Sequence, residues 1–225
     1  MAQCLKELGC PQEKIHVIPI GIDVDSYPKV SNRLDRTKPI RILFCGRFVE
    51  KKGLPYALKA MGDLIKKYEN IQLRVIGDGP ERRNIIKLID QYKLNNHVQL
   101  LGFKSHVEVL QELQTAHILV QPSITAQNGD SEGGAPVILL EAQAMGIPVV
   151  ATRHADIPNV VLDGKTGLLV PERDASALAG ALEMLIKDPD RINFMSRHGR
   201  EHIKQHHDIH KIMDRIEACY QRLLS

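Results

Sequence analysis

Residues 128–146 read Asn-Gly-Asp-Ser-Glu-Gly-Gly-Ala-Pro-Val-Ile-Leu-Leu-Glu-Ala-Gln-Ala-Met-Gly, a polar, glycine-rich loop that runs into an apolar helix. Gly133 and Gly134 leave the backbone bare just before the helix begins. Pro136 suits its first turn, where a missing N–H costs nothing. Gly146 stands where a left-handed C-terminal cap is expected, and Ile147-Pro148 cannot prolong the helix. Bare amides and the positive end of a helix dipole together make an anion site, most often for phosphate. Two acids flank it, Glu132 in the loop and Glu141 inside the helix. Side chains on a helix lean toward its N-terminus, so Glu141 can look back at whatever the loop holds. An anionic ligand with hydroxyls nearby, such as a nucleotide sugar, would use both features.

A second set of charges stands at Gly46-Arg47 with Lys51, Lys52 and Gly53, directly after an apolar run. A pyrophosphate needs bidentate and point-charge partners, which Arg and Lys supply. Taken alone, the set reads equally as a solvated basic turn before a helix. Glu141 has Leu139, Leu140, Ala142 and Ala144 as neighbours, an odd setting for a solvent-facing acid, and a carboxylate accepting ribose hydroxyls explains it better. Glu132 reads the same way less sharply, because any exposed loop can carry an acid. Gly77-Asp78-Gly79-Pro80 resembles a dinucleotide turn without its third glycine, and reads either as a strand end or as a wall of the cleft. His198, His202, His206 and His210 fall at four-residue spacing, with His207 beside them. Such spacing can bind zinc, but no Cys or carboxylate cluster completes a site, and a polar helix face is the preferred reading. No Ser-His-Asp or Cys-His nucleophile arrangement is recognisable.

The elements that must position these groups follow from periodicity. Strands are predicted at Ile40–Cys45, Ile71–Ile76, Val98–Leu101, His117–Gln121 and Ile147–Ala151, with a turn and a last short strand over Gly164–Val170. Helices are predicted at Leu54–Tyr68, Glu81–Tyr92, His106–Gln114, Ala175–Ile186, Asp190–Gln205 and Ile209–Leu224, besides the one after Gly134. Residues 1–10 read as the tail of a helix ended by Gly9, and Ile15–Ile20 as a short strand-like run. Ser26–Pro39 reads as a polar connector. Strands alternating with helices imply crossover units: an α/β, doubly wound, mostly parallel six-stranded Rossmann-like sheet with helices on both faces. Ligands of such sheets sit at the carboxyl ends of the strands, where the loops at Arg47–Gly53, Gly77–Pro80, Gly102-Phe103 and Thr125–Gly134 converge.

The 225 residues are 43% hydrophobic and 25% charged, which fits a globular protein with a sizeable core. A net charge of +3 without an aromatic-basic stripe does not call for nucleic acid. The four cysteines lack metal spacing and read as reduced thiols, which with the lack of a signal peptide predicts a cytoplasmic protein. No apolar run approaches the ~20 residues of a membrane span.

At these residues the chain resembles the C-terminal half of GT-B glycosyltransferases, in the large retaining family 4. The resemblance runs from about Ile15 to the end. It rests on Ile18-Pro-Ile-Gly-Ile-Asp23, Gly46-Arg47 with Lys52-Gly53, Val75-Ile-Gly-Asp-Gly-Pro80, Val98 with Leu101-Gly-Phe103, and Gln121-Pro-Ser123. Glu132-Gly-Gly with Glu141-Ala, Pro148-Val-Val-Ala-Thr152 and Gly164-Lys-Thr-Gly-Leu-Leu-Val-Pro171 complete the order.

The resemblance implies a nucleotide-diphosphate sugar bound in this half without a metal or other cofactor. Arg47 and Lys52 would hold the diphosphate and, with Glu132 near the donor sugar, form the catalytic set. Gly46, Gly77, Ala135, Pro136 and Val137 would line the donor pocket. Gly133 and Gly134 would offer amides to the phosphates, Glu141 would take the ribose, and Leu101, Gly102 and Phe103 would lie against the base. UDP is expected on frequency, as in UDP-glucose, with GDP and ADP as alternatives. The polar loop Thr125–Ser131 resembles enzymes of exopolysaccharide and cell-surface glycan assembly.

The family has seven residues between its paired glutamates; this chain has eight between Glu132 and Glu141, so its loop is one longer. The family's N-terminal domain, which binds the glycan acceptor, has no counterpart here. Residues 1–20 thus read as its tail and hinge, 21–208 as the donor-binding domain, and 209–225 as a helix that would cross back toward it. Peripheral association with the inner membrane face would come through that missing domain. A stand-alone, non-catalytic nucleotide-binding or interaction module is the alternative. A nicotinamide-dependent dehydrogenase would need the dinucleotide fingerprint at the first strand, which Cys45-Gly-Arg47 does not provide.

Overall fold

The computed structural model describes residues 2–30 and 38–224. The chain opens with α1 (Ala2–Glu7), which ends at Gly9 in a left-handed conformation, φ 86°. Strand β1 (Ile40–Cys45) leads to α2 (Leu54–Leu64), β2 (Ile71–Ile76) to α3 (Arg82–Gln91), and β3 (Val98–Gly102) to α4 (His106–Thr115). Strand β4 (Ile118–Gln121) leads to α5 (Val137–Ala144), β5 (Val149–Thr152) to the short α6 (Ile157–Val160), and β6 (Gly167–Val170) to α7 (Ala175–Lys187). Helices α8 (Pro189–His206) and α9 (Ile209–Leu224) follow. All strand pairings are parallel, in the order β3-β2-β1-β4-β5-β6.

Strands β1, β4, β5 and β6 carry apolar residues on both faces, as strands covered on both sides do, whereas β2 sets Gln72 and Arg74 against the α4 side. Ile42, Phe44, Ile118, Val120, Val150, Leu168 and Val170 point to one face and pack with Leu54, Leu58 and Met61 of α2, Ile85 of α3 and Leu182 of α7. Leu43, Leu119, Val149, Ala151 and Leu169 point to the other and pack with Leu113 of α4, Leu139 and Leu140 of α5, and Ile157 of α6. The alternation along β1, β4, β5 and β6 is the period-two pattern of strands, with both phases apolar.

The strand-like run Ile15–Ile20 forms no strand and pairs with no other strand among the described residues; just after it, Ile22 makes an isolated bridge to Asp208. That bridge ties residues 21–22 to the junction of α8 and α9. The Ile22 amide donates to the His207 carbonyl at 2.9 Å, and the Ile209 amide to the Ile22 carbonyl at 2.9 Å. Part of the connector read over Ser26–Pro39 is packed rather than free. Tyr27 is buried, and the Val30 amide donates to the Met145 carbonyl beyond α5. Residues 31–37 of that connector lie outside the described residues. Helix α2 stops at Leu64, short of the expected Tyr68. Pro136 takes an extended ψ of 131° and forms the N-cap of α5, one position before its first turn. Gly146 is the left-handed cap that the sequence predicts, φ 81°, with the Ile147 amide closing on the Ala142 carbonyl.

One glycine carries a constraint on the site. Gly53 has φ 65°, and a Cβ there would stand 1.8 Å from the Pro122 carbonyl oxygen. The turn into α2 therefore passes directly against the chain leaving β4. Gly53→Ala is expected to cost at least about 2 kcal/mol from the left-handed backbone and the clash. In a chain of this size that lowers Tm by about 4–8 °C in a thermal melt. A melt unchanged within a degree would contradict the close approach.

Candidate functional site

The strand order reverses between β1 and β4, and the loops leaving these two neighbours diverge to opposite faces of the sheet. A crevice at the carboxyl ends is the result, and it is where open α/β sheets bind ligands. One wall is Gly46–Gly53 after β1; the other is Pro122–Pro136 after β4. Cavities of about 280 Å³, beside Lys29, Gly146 and Arg197, and about 730 Å³, beside Lys38, Tyr68 and Lys187, lie at the opposite edge of the sheet.

Across the crevice, Lys52 Nζ and Glu132 Oε1 stand 2.7 Å apart, although 80 residues separate them. Their side chains are only 16% and 10% exposed, so water screens this pair less than a surface pair. Ser123 donates to the same Glu132 oxygen at 2.8 Å, and Gln121 Nε2 donates to Ser123 Oγ at 3.1 Å. Lys51 reaches the same loop, donating to Asp130 Oδ1 at 2.9 Å and to the Ser131 carbonyl at 3.0 Å. That contact, with further help from the Arg47 charge, holds the Asp130 carboxyl below its ordinary range despite the opposing effect of burial. Arg47 is exposed and makes no side-chain hydrogen bond or ion pair among the described residues.

The glycines meet at the rail of the crevice. Gly77, φ 129°, approaches so closely that a Cβ would stand 2.0 Å from the Gly46 carbonyl oxygen. The Gly77 amide in turn donates to the Gly102 carbonyl at 2.9 Å, just past a register shift in β2–β3 pairing. Leu101 and Gly102 are half-buried here, while Phe103 stands out at 81% exposure, an apolar face open to a planar ligand. Gly133 and Gly134 are different. Neither has a positive φ, and a Cβ on either would meet nothing within 4 Å. The fold itself places no demand for glycine there, which leaves room for a ligand to approach the backbone. Ala135 and Pro136 are half-buried beside them, and Val137 opens α5 at the surface. No side chain caps α5, so its first amides face the crevice uncapped.

Helix α5 is buried from Ile138 to Ala144, lying between the sheet and α8, and Glu141 is the one charge in that span. Glu141 is 6% exposed. Its Oε1 accepts from the Tyr27 hydroxyl at 3.2 Å and lies 2.7 Å from His106 Nε2 on the first turn of α4. Burial, together with the Glu141 charge and hydrogen bond, pushes the Tyr27 hydroxyl up to about 12. Burial and then Glu141 push the Cys45 thiol up to about 11, with Lys52 pulling the other way. Cys45 ends β1 and so feels both the ammonium and the carboxylate of the crevice.

The structure thus brings Gly46, Lys52, Gly77, Gly102, Glu132 and Glu141 to one edge of the sheet with Arg47, Leu101, Phe103 and residues 133–137. Ser123, His154, Tyr27 and His106 join them without having stood out in the sequence; only Ser123 lay in a quoted motif, Gln121-Pro-Ser123. His202 stacks near His206 and His207, with ring centroids 5.0 and 5.6 Å away, and is pushed down to about 4 by burial and these neighbours. Among the described residues no group of three or more His, Cys, Asp or Glu is arranged to hold a metal ion.

Comparison with known proteins adds a lineage to this geometry. The profile of the family described as glycosyl transferases group 1 matches residues 28–202. A protein of Salmonella typhimurium named as a colanic acid biosynthesis glycosyltransferase, WcaL, is 38% identical over 220 residues, covering 97% of this chain and 54% of its own. The amylovoran biosynthesis glycosyltransferase AmsK of Erwinia amylovora is 39% identical over 176 residues, covering 78% of this chain and 42% of its own. The chain therefore spans about half the length of these curated relatives. Among solved structures, HepE of Anabaena superposes with a TM-score of 0.85 at 20% identity, covering 98% of this chain and 61% of its own, which places the fold among GT-B glycosyltransferases.

The electrostatics can be read out chemically through Cys45. A thiol pushed from 9 to about 11 holds about a hundredfold less thiolate, offset only about tenfold by the greater nucleophilicity of each thiolate. Cys45 should therefore be alkylated by iodoacetamide at pH 8 at least about tenfold more slowly than the exposed Cys4, read by peptide mass spectrometry. Glu141→Gln should narrow the gap. Equal rates in the unmodified chain, or no response to Glu141→Gln, would contradict the described crevice.

Proposed function

The chain belongs to the group 1 glycosyl transferases, and on that footing we propose that it is the donor-binding half of a retaining glycosyltransferase. Its donor would be a nucleotide-diphosphate sugar, a UDP-sugar first, and its product a glycan of exopolysaccharide or cell-surface assembly. The observation that carries this reading is the meeting of Lys52 and Glu132 in the crevice, beside bare glycine amides and a buried carboxylate. A cation, a row of N–H donors and a hydroxyl acceptor in that order match a diphosphate followed by a ribose.

In this reading Lys52 keeps donor capacity beyond the hydrogen bond to Glu132 and turns it on the diphosphate. Arg47, with its guanidinium open to the crevice, closes on the same group bidentately. When the bond from the anomeric carbon to the β-phosphate oxygen breaks, its electron pair passes to the diphosphate; an acceptor hydroxyl oxygen bonds the anomeric carbon in its place and gives its proton to the departing diphosphate. The two fixed cations stabilise that leaving charge, and the reading assigns no metal to the step. Glu132, released from Lys52, accepts hydroxyls of the donor sugar. Glu141 accepts the ribose hydroxyls in company with His106 and Tyr27, and Phe103 lies against the base. The acceptor would be held outside these residues. WcaL and AmsK, named for colanic acid and amylovoran biosynthesis, support a polysaccharide product, and HepE, solved in complex with UDP, supports the nucleotide. No helix among the described residues is long and apolar enough to cross a membrane.

Calorimetry of the chain with UDP, GDP and ADP in the presence of EDTA tests the proposal. At least one diphosphate should bind, and Arg47→Ala, Lys52→Ala and Glu141→Ala should each weaken it by about 1.5–3 kcal/mol, roughly 10- to 100-fold. Absence of binding for all three nucleotides, or binding that requires a divalent cation, would overturn it.

A further inference from the structure

His154 is 2% exposed, follows β5, and touches no group assigned to the diphosphate, ribose or base. Its two ring nitrogens face different partners. Nε2 lies 3.1 Å from the Glu132 backbone nitrogen, and Nδ1 lies 2.7 Å from Glu172 Oε1. An amide N–H can only donate, so Nε2 must be the bare, accepting nitrogen; Nδ1 then carries the proton and donates to Glu172. The second Glu172 oxygen accepts the Thr125 amide at 2.9 Å. Burial works to raise the Glu172 carboxyl, yet the Thr125 amide and His154 hold it below its ordinary range, as suits a group that must accept at both oxygens. Arg173 adds a hydrogen bond to the Thr125 carbonyl.

The consequence is topological. Residues 125–132 form the wall of the crevice that ends in Glu132, and both ends of that wall hang on one imidazole–carboxylate pair. Thr125 is fixed through Glu172 and Glu132 through His154. Within the wall the Gln127 amide donates to Glu50 at 3.1 Å, and Lys51 holds Asp130 and Ser131, both from the facing loop. The pair therefore ties the backbone amides at both ends of the wall to the segments after β5 and β6, beside the Arg173 bond to the Thr125 carbonyl and the Ser123 bond to the Glu132 carboxylate.

We propose that His154 is a positioning residue that sets where Glu132 stands, acting through its Nδ1–H tautomer and Glu172. The claim deepens the donor-binding reading and rests on it for its consequence, which is that the sugar end of the donor depends on His154 more than the nucleotide end.

Three variants test it: His154→Leu, which removes both hydrogen bonds; His154→Gln, whose amide can accept from Glu132 and donate to Glu172; and Glu172→Ala at the more exposed end. Amide hydrogen exchange of residues 125–134 needs no ligand and is the first readout. His154→Leu and Glu172→Ala should speed exchange of the Thr125 amide, and His154→Leu that of Glu132, by about tenfold or more, while His154→Gln stays near the unmodified chain. The second readout is the ratio of UDP-glucose to UDP affinity, which should fall about tenfold in His154→Leu and be retained in His154→Gln. Should His154→Leu fail to fold, Glu172→Ala carries the exchange test alone. Unchanged exchange in His154→Leu and Glu172→Ala, or a loss in His154→Gln as deep as in His154→Leu, overturns the proposal. A chain that binds no nucleotide refutes the donor reading instead, and the exchange readout still decides the role of His154.

Discussion

Everything at the crevice depends on the reversal of strand order between β1 and β4. Two neighbouring parallel strands send their crossovers to opposite faces, so the loops that leave them part, and a gap opens where the sheet ends. The gap would be useless if the loops stayed apart. They are drawn together again beneath it by backbone contact, the turn at Gly53 lying on the Pro122 carbonyl and the Ile124 amide donating to the Lys51 carbonyl at 2.8 Å. A side chain at Gly53 would hold the two walls apart, and Lys52, one residue earlier, would no longer meet Glu132.

Given that contact, the charges arrange themselves in layers. Lys52 and Glu132 neutralise each other at the mouth, with Ser123 and Gln121 relaying hydrogen bonds from the end of β4. Glu141 lies deeper, a lone charge in a helix otherwise buried among apolar residues. It is sustained there by Tyr27 from one side and His106 from the other. Burying a carboxylate is costly unless partners compensate it, and both side-chain partners of Glu141 fall on one oxygen. The same charge reaches Cys45 and Tyr27, whose protons it helps retain. Stability alone does not account for Gly133 and Gly134, where a Cβ would meet nothing within 4 Å, or for a carboxylate buried in α5.

Much of this was legible in the sequence, for physical reasons that differ by element. The strands are short apolar runs, closed by Gly46, Gly77 and Gly102 in the first three and by Pro122 and Pro171 in β4 and β6, and the helices between them carry periodic apolar faces, so the alternation could be read directly. Gly146 and the Arg47-to-Gly53 turn announce themselves through local chemistry. The Ile15–Ile20 run forms no strand because alternation creates one only where a neighbour offers its backbone, and none does among the described residues. The end of α2 was overread because Ile65 and Tyr68 keep helical spacing and still pack against the core after the helix has turned off. Tyr27, His106 and His154 stayed invisible because their partners are 114, 35 and 22 residues away, distances that only the folded chain closes. His154 further depends on a tautomer, which no sequence pattern encodes.

The measurement that bears most directly on the crevice as the binding site is a two-dimensional NMR titration of the amide-labelled chain with UDP. Shift changes should concentrate at Gly46, Lys52, Gly102, Phe103, Gly133, Gly134 and Glu141, on the carboxyl ends of the strands. Changes concentrated instead around Lys29, Gly146 and Arg197, beside the cavity at the opposite edge, would place the ligand elsewhere and contradict the assignment.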